Sequence, residues 1–434
     1  MWVDISPFSL LLPLGVLAWY SRRWAVLVLL AGLSAYIIRI TIAGVPTTWL
    51  ELGLYLTLIA FMARGEWRGL RELVAQATPS RLWVLLLWLV AATVGVVVAS
   101  DTRLALGVWK GFVVNPLLLA FMVVALAHKE TNRLRWWRDC VAALLVGATG
   151  TTLAAVAQSW LTSAGRLQSG YDSPNLLAMY LAPILVAGVL WLLWPAGRAS
   201  LKPWGRVVWL GACAIVALGV VGTNSYAAVV AVVGALVLAA VFTHWPRWAP
   251  VCGAVIVAAS LLLPFVTVVR GNAFVAGHTN ITYGTTSGEV RLTLWRQALS
   301  FISEHPVFGL GLGQWQPAFI RAANTQGLLS IRNPGLAIEL HYSSLYPHNL
   351  WLTTWLATGA LGLVAMLWLS LTVFGAARAR QFILPAAILA VQVLHGALDT
   401  PVWRNDLAVL WWVPVILVVL AKRQEQPSFS QALV

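Results

Sequence analysis

The sequence predicts an all-α polytopic membrane protein of about 12 transmembrane helices, with one long connection that carries interfacial helices. Composition is the first reason. Of the 434 residues, 60% are hydrophobic and 10% charged, whereas an average soluble domain is roughly 25% charged. The second is the length of the apolar runs, such as WVLLLWLVAATVGVVVAS from Trp83. The third is the gathering of basic residues into alternate connections between those runs. Together these exclude a water-soluble globular enzyme and a disordered chain. A transmembrane barrel is excluded too, because its strands read as short alternating segments.

A helical span needs about 20 apolar residues. Spans are expected at about 24–43, 46–63, 82–99, 104–127, 138–161, 174–195, 206–223, 226–243, 249–269, 349–374, 381–398 and 405–421. Residues 7–20 are short for a span and either lie in the interface or form a thirteenth helix. The chain therefore divides into N-terminal membrane helices (1–269), a polar connection (270–348), C-terminal membrane helices (349–421) and a cytoplasmic tail (422–434). The N-terminus lacks a basic region and a small-residue cleavage site, so it does not read as a cleaved signal peptide.

The formal net charge is +14. In this composition it reads as a topological signal rather than a nucleic-acid footprint. Arg22, Arg23, Arg64, Arg68, Arg71, Arg81, Lys129, Arg133, Arg135, Arg138, Arg198, Lys202, Arg206, Arg247, Arg378, Arg380, Lys422 and Arg423 fall in one set of short connections, which should face the cytoplasm. The opposite, periplasmic set includes the long 270–348 segment. Cys140, Cys213 and Cys252 sit in or beside apolar runs, with neither disulfide nor metal spacing.

Few ionisable residues face outward, so each can be weighed. The basic ones are Arg39, Arg103, Lys110, Arg166, Arg270, Arg291, Arg296, Arg321, Arg332 and Arg404; the acids include Asp101, Asp172, Glu289, Glu304, Glu339, Asp399 and Asp406. Arginine on this side runs against the positive-inside tendency and is the more informative for it.

Within the long connection, Thr286-Ser-Gly-Glu289 reads as a capping box. The helix after it should set Leu292, Trp295, Leu299 and Ile302 on one face and lie on the membrane surface. Arg291 is poorly placed in its first turn by the helix dipole. It either serves an anionic ligand or snorkels to lipid phosphate. Pro306 ends the helix, and Gly309-Leu-Gly311-Leu-Gly313 follows. No strand precedes this string and no Lys-Ser/Thr follows it, so a flexible turn is expected rather than a phosphate loop.

His348 follows Pro347 and opens a membrane helix at the outer interface, where helix N–H groups suit phosphate. Gly359 and Gly362 would allow close helix packing. Arg166 lies beside the start of another span, where it is costly unless paired or ligand-bound. Asp172 is a structural partner to consider, and Asn175 lies in that span's first turn. No Asp-x-Asp pair and no His–carboxylate cluster occurs on this face, His278, His305 and His341 lack zinc spacing, and G-x-S-x-G is absent.

With these residues the sequence resembles the O-antigen ligase family, in a superfamily shared with O-antigen polymerases and O-linked oligosaccharyltransferases. The resemblance rests on Arg291-Leu-Thr-Leu-Trp295, His305-Pro306 with Gly309, Gly311 and Gly313, and His348-Asn349 with Gly359 and Gly362. A weaker match is Arg166 with Gly170 and Asn175. Many members carry a Ser-Arg pair at the outer end of a middle span. Here Thr223-Asn-Ser225-Tyr226 stands there, and the phosphate contact must come from Arg166 or Arg270 instead.

The resemblance implies a GT-C-like glycosyltransferase in the inner membrane of a Gram-negative bacterium, with its active site facing the periplasm. It implies transfer of O-antigen polysaccharide from undecaprenyl diphosphate to a sugar hydroxyl of lipid A-core. The reaction would invert the anomeric centre, without nucleotide, metal or other cofactor. His348 would be the general base, Arg166 and Arg291 would hold the diphosphate with Arg270 and Arg296 in reserve, and Asn349 and Asn175 would support them. The alternatives are an O-antigen polymerase, a protein O-oligosaccharyltransferase and a transporter. A transporter would need broken or charged helices at the midplane, usually with repeats. Lys110 is the strongest such residue, and no repeat is found.

Overall fold

A chain this apolar must satisfy its backbone groups internally, and it does so almost wholly as helix. The computed structural model describes residues 7–42, 45–163, 165–277, 287–325 and 345–421. Thr286, His278, Arg332, Glu339, His341 and the tail from 422 lie outside the described residues, as do the side chains of Arg270 and Glu289.

The elements in order are α1 (Pro7–Tyr20), α2 (Arg22–Ala31), β1 (Arg39–Ile42), β2 (Val45–Thr48), α3 (Trp49–Ala63), α4 (Trp67–Gln76), α5 (Pro79–Val97), α6 (Thr102–Val108) and α7 (Asn115–Lys129). Then come α8 (Arg133–Thr162), α9 (Pro174–Leu193), α10 (Pro195–Ala199), α11 (Pro203–Gly222), α12 (Tyr226–His244), α13 (Ala249–Gly277), α14 (Ser287–Glu304), α15 (Trp315–Thr325), α16 (Leu350–Ala376), α17 (Ile383–Gly396) and α18 (Asn405–Val419). Proline in the first turn starts α5, α9 and α11, where its missing N–H costs nothing.

Among the described residues, eight helices are long and apolar enough to cross a membrane by length and composition. Every expected span except the first falls largely on a helix. Residues 24–42 of that expected span instead break into α2, a 3-10 turn at Leu33–Ile37 and β1. β1 pairs antiparallel with β2, with Arg39 opposite Thr48 and Ile42 opposite Val45. The β-branched residues of RITI and VPTT favour the extended backbone. The span expected from 46 therefore starts as a strand, and its helix is α3, 15 residues long. α17 and α18, at 14 and 15 residues, are also short. The expected count of 12 spans is not reached by helices of full length.

The hairpin is tied down from below. Glu51, buried in the first turn of α3, accepts from Thr47 Oγ1 at 2.8 Å, Asn115 Nδ2 at 2.9 Å and Lys110 Nζ at 3.1 Å. Lys110 Nζ also reaches the Pro46 carbonyl at 3.2 Å, and it rises from a π-helical turn at Trp109–Val114. Lys110 is thus a strut for the hairpin, joined to an acid.

α14 does not present the face expected for a helix on the membrane surface. Its buried apolar residues are Val290, Leu294, Trp295, Ala298, Phe301 and Ile302, while Leu292 and Leu299 are only partly buried. They form a second core with Trp315 and Phe319 of α15 and Leu352 and Leu356 of α16. The reason is aromatic: Phe301 meets Trp315 edge-on at 6.0 Å, and Trp315 stacks on Phe319 at 5.2 Å.

The glycine string joining α14 to α15 is a turn, but a fixed one. Leu310 N–H donates to the Leu356 carbonyl at 2.7 Å, Leu312 N–H to the Gly95 carbonyl at 2.9 Å, and Ala360 N–H to the Val307 carbonyl at 3.0 Å. Gly309, Gly311 and Gly313 all have positive φ. A Cβ on Gly311 would stand 2.7 Å from the Gly95 carbonyl oxygen and 2.8 Å from Ala99 Cα. The chain can pass between α5 and α16 there only without a side chain. α16 yields in turn at Gly359 (φ 70°, ψ −177°), which splits the helix into two segments. Gly362 packs toward Ala91 of α5, as close helix packing requires.

Candidate active site

The site is built on the start of α16 and the turn between α17 and α18. Asn349 caps α16: its Oδ1 accepts from Trp351 N and Leu352 N, both at 3.0 Å. Its Nδ2 donates to the Ala397 carbonyl at 3.0 Å and the Ser260 carbonyl at 3.3 Å. Ser260 Oγ in turn accepts from Trp351 Nε1 at 2.9 Å. One fully buried side chain thereby locks α13, α16 and the end of α17 together. His348 immediately precedes it with φ 51°, a left-handed backbone that is rare outside glycine.

That backbone turns the imidazole onto Asp399. His348 Nδ1 lies 3.0 Å from Asp399 Oδ1, and Asp399 also accepts from Thr400 N at 3.0 Å. The Asp399 side chain is only 6% exposed and that of His348 22%. Burial pushes the Asp399 carboxyl up, but the His348, His395 and Arg291 charges and the His348 hydrogen bond outweigh it and hold it at about 2. It is therefore a carboxylate and an acceptor. A carboxylate can only accept, so the contact selects an imidazole with a proton on Nδ1.

Arg291 reaches the same turn, donating from Nε to the Leu398 carbonyl at 2.8 Å. The structure thus brings His348 and Arg291 together on residues 398 and 399. Arg296, five residues further along α14, has its Nε and Nη2 buried without a hydrogen-bond partner among the described residues. A buried guanidinium left so is costly unless an anion arrives.

Arg166 is anchored elsewhere at the same end of the bundle. Its Nε donates to the Thr223 carbonyl at 2.8 Å and its Nη2 to Asn175 Oδ1 at 3.2 Å. Arg166 thus sits beside the Thr223–Tyr226 position where the expected Ser-Arg pair is missing, and Asn175 supports it directly. Asp172 is not its partner. Asp172 pairs instead with Arg404 Nη2 at 2.9 Å, because the connection carrying it folds over the start of α18. There Tyr171 OH donates to Asp406 Oδ2 at 2.9 Å, and Arg404 lies 5.2 Å over the Tyr36 ring. The 165–173 connection and the 397–404 turn are therefore neighbours, although no direct contact joins Arg166 to His348. Arg270 lies on α13, its side chain outside the described residues.

Two residues of the site carried no role in the sequence reading. Asp399 was one outward acid among several. Its signal was position: it is the acid of the short ALDTPVWR turn, just beyond a buried helix end. His395, one turn earlier, is fully buried, with neither ring nitrogen hydrogen-bonded among the described residues. Among those residues no group of three His, Cys, Asp or Glu could hold a metal ion.

The described residues thus form a helical membrane bundle that carries a histidine–carboxylate pair, with Arg291 bonded to the same turn. Residues 211–367 match the family model described as O-antigen ligase, so this part of the chain is similar to that family. The matched stretch includes Arg291, Arg296, His348 and Asn349, and leaves Arg166, Asn175 and Asp399 outside. No curated protein and no solved structure matches the chain.

Proposed function

We propose that the protein is an O-antigen ligase, transferring polysaccharide from undecaprenyl diphosphate to a sugar hydroxyl of lipid A-core at the periplasmic face of the inner membrane. The observation that carries this reading is the His348–Asp399 pair at 3.0 Å with Arg291 bonded to the adjoining Leu398 carbonyl. A base and a cation on one turn are what the displacement of a diphosphate by a hydroxyl requires.

In the reaction, His348 Nε2 takes the proton from the acceptor hydroxyl as its oxygen attacks the anomeric carbon. The bond from that carbon to the phosphate oxygen breaks, and its electron pair leaves on undecaprenyl diphosphate. One displacement inverts the anomeric centre. Asp399 holds the tautomer and stabilises the imidazolium. Arg291 and Arg296 meet the charge growing on the leaving diphosphate, since a guanidinium fork binds phosphate bidentately and stays protonated. Arg166 serves the same anion from the Thr223 side, with Arg270 in reserve.

The short helices suit this role. α17 and α18 rise only about 21 and 22 Å, whereas the hydrocarbon core is about 30 Å thick. With their far ends at the opposite face, the 397–404 turn lies below the outer membrane plane, at a depth a polyprenyl-linked diphosphate reaches.

The test is transfer by purified protein from a lipid-linked glycan to lipid A-core. His348→Ala is expected to fold and to transfer nothing, and near-normal transfer by that variant removes His348 as the base. Ligase and polymerase separate in a deletion strain. Loss of all glycan capping indicates ligase, whereas capping by single repeats indicates polymerase.

A further inference from the structure

At the end of the bundle opposite His348, a cavity of about 390 Å³ opens between the first turn of α8 and the short helix α10. α8 spans 30 residues, Arg133–Thr162, or about 45 Å, and its other end leads to Arg166. The cavity therefore lies at the far membrane surface, outside the machinery described above. Asn132, Leu134, Arg135, Arg138, Ala196, Ala199 and Ser200 line it.

Its lining holds two guanidinium groups and no carboxylate. Arg138 is fixed in place: Nε and Nη2 bond Asp139 Oδ1 at 2.9 and 2.8 Å, and Nη1 donates to the Ser200 carbonyl at 3.1 Å. Asp139 is shared with Arg23, and Glu130 is bonded to Arg23 as well. The nearby acids are thus already engaged. Arg135 is exposed, and its guanidinium has no ion-pair partner among the described residues. The first turn of α8 contains no acid to balance the helix dipole, so the positive helix end and the Arg135 cation add, whereas the Arg138 charge is already met by Asp139 and its guanidinium offers only its spare N–H groups. Trp194, just before Ala196 of the lining in the chain, and Trp204, just after Ser200, are 43% and 68% exposed, as aromatic residues are at a membrane surface. Leu193 and Val207, on α9 and α11, are 67% and 71% exposed. A basic recess at a membrane surface, with exposed apolar residues on the helices that adjoin it in the chain, fits an amphiphile better than a dissolved anion.

We infer that this cavity binds the phosphodiester headgroup of an anionic phospholipid, with Arg135 and Arg138 on the phosphate and the acyl chains against α9 and α11. The inference is independent of the reaction proposed above. The experiment is native mass spectrometry of the full-length protein titrated with dioleoylphosphatidylglycerol or dioleoylphosphatidylethanolamine, with inorganic phosphate as competitor. Two variants separate charge from space: Arg135→Gln removes the unpaired cation, and Ala199→Phe fills the cavity from an exposed position without touching charge. Phosphatidylglycerol should be retained over phosphatidylethanolamine. Each variant should lower its retention, Arg135→Gln by about five-fold, the worth of one basic residue near an anionic surface. Equal retention of the two lipids overturns the proposal. So does wild-type retention in either variant, or displacement of the lipid by millimolar phosphate.

Discussion

In the proposed reaction the chemistry rests on one carboxylate oxygen. Asp399 Oδ1 fixes the His348 tautomer, and its low pKa keeps it an acceptor at any working pH. Asp399→Asn should fold yet lose about 100-fold or more in transfer rate, because an amide no longer enforces the basic lone pair on Nε2; an unchanged rate would leave Asp399 without a role. The same shift has a stability consequence. A depressed carboxyl pKa stabilises the fold fully above the ordinary carboxylate value and ceases to do so as pH falls through the folded value. The advantage of wild type over Asp399→Asn should be greatest just above pH 4, where the carboxylate faces its cationic neighbours, and should close as pH falls toward about 2. Thermal unfolding in detergent across that range checks it. Arg291→Ala should weaken donor use, and Arg291→Lys should restore only part of it, because an ammonium lacks the planar fork. Full activity in both variants removes Arg291 from the site.

At the scale of elements, the glycine turn and the broken α16 set where His348 stands. Gly359 has φ +70°, and a Cβ there would run into the Val307 carbonyl and lie 2.8 Å from Phe308 Cα. Gly359→Ala should cost about 1–3 kcal/mol from backbone strain alone, with transfer falling as the start of α16 shifts. Gly375→Ala is the control: a Cβ there meets nothing within 4 Å, so it should be neutral or slightly stabilising. Equal unfolding temperatures for the two variants would contradict the account of the turn. The sequence marked these glycines as a turn and as packing sites. It did not disclose that the turn is bonded to Leu356, Gly95 and Ala360, since those partners are distant in the chain. The face of α14 was misjudged for a related reason: helical periodicity finds an apolar stripe but not the aromatic residues of α15 that cover it.

Across the whole molecule, the N-terminal helices and the C-terminal site are joined at one end by Arg404. It bonds Asp172, covers Tyr36 and precedes α18, and burial opposes its charge while Tyr36, Tyr346, Asp406 and Asp172 raise its pKa. Arg404→Ala leaves Asp406 without its neighbouring cation and should destabilise by about 3 kcal/mol. Asp172→Ala should cost much less, because the Asp172 side chain is 52% exposed. Comparable losses in the two unfolding temperatures would show that the ion pair, rather than the buried cation, holds this junction.

The sequence by itself determined that the protein is an all-helical polytopic membrane chain and where most of its long apolar helices run, and it drew attention to His348, Asn349 and the outward arginines. Those properties are local, or summed over a window of about 20 residues, so composition and periodicity carry them. Only the tertiary structure decided that Asp399 faces His348, that Asp172 belongs to Arg404 rather than Arg166, and that β1 and β2 pair and are held by Glu51 and Lys110. The side-chain contacts His348–Asp399, Asp172–Arg404 and Glu51–Lys110 each join groups about 50 or more residues apart. Which pair forms is set by how helices pack side by side, and no pattern along the chain records that.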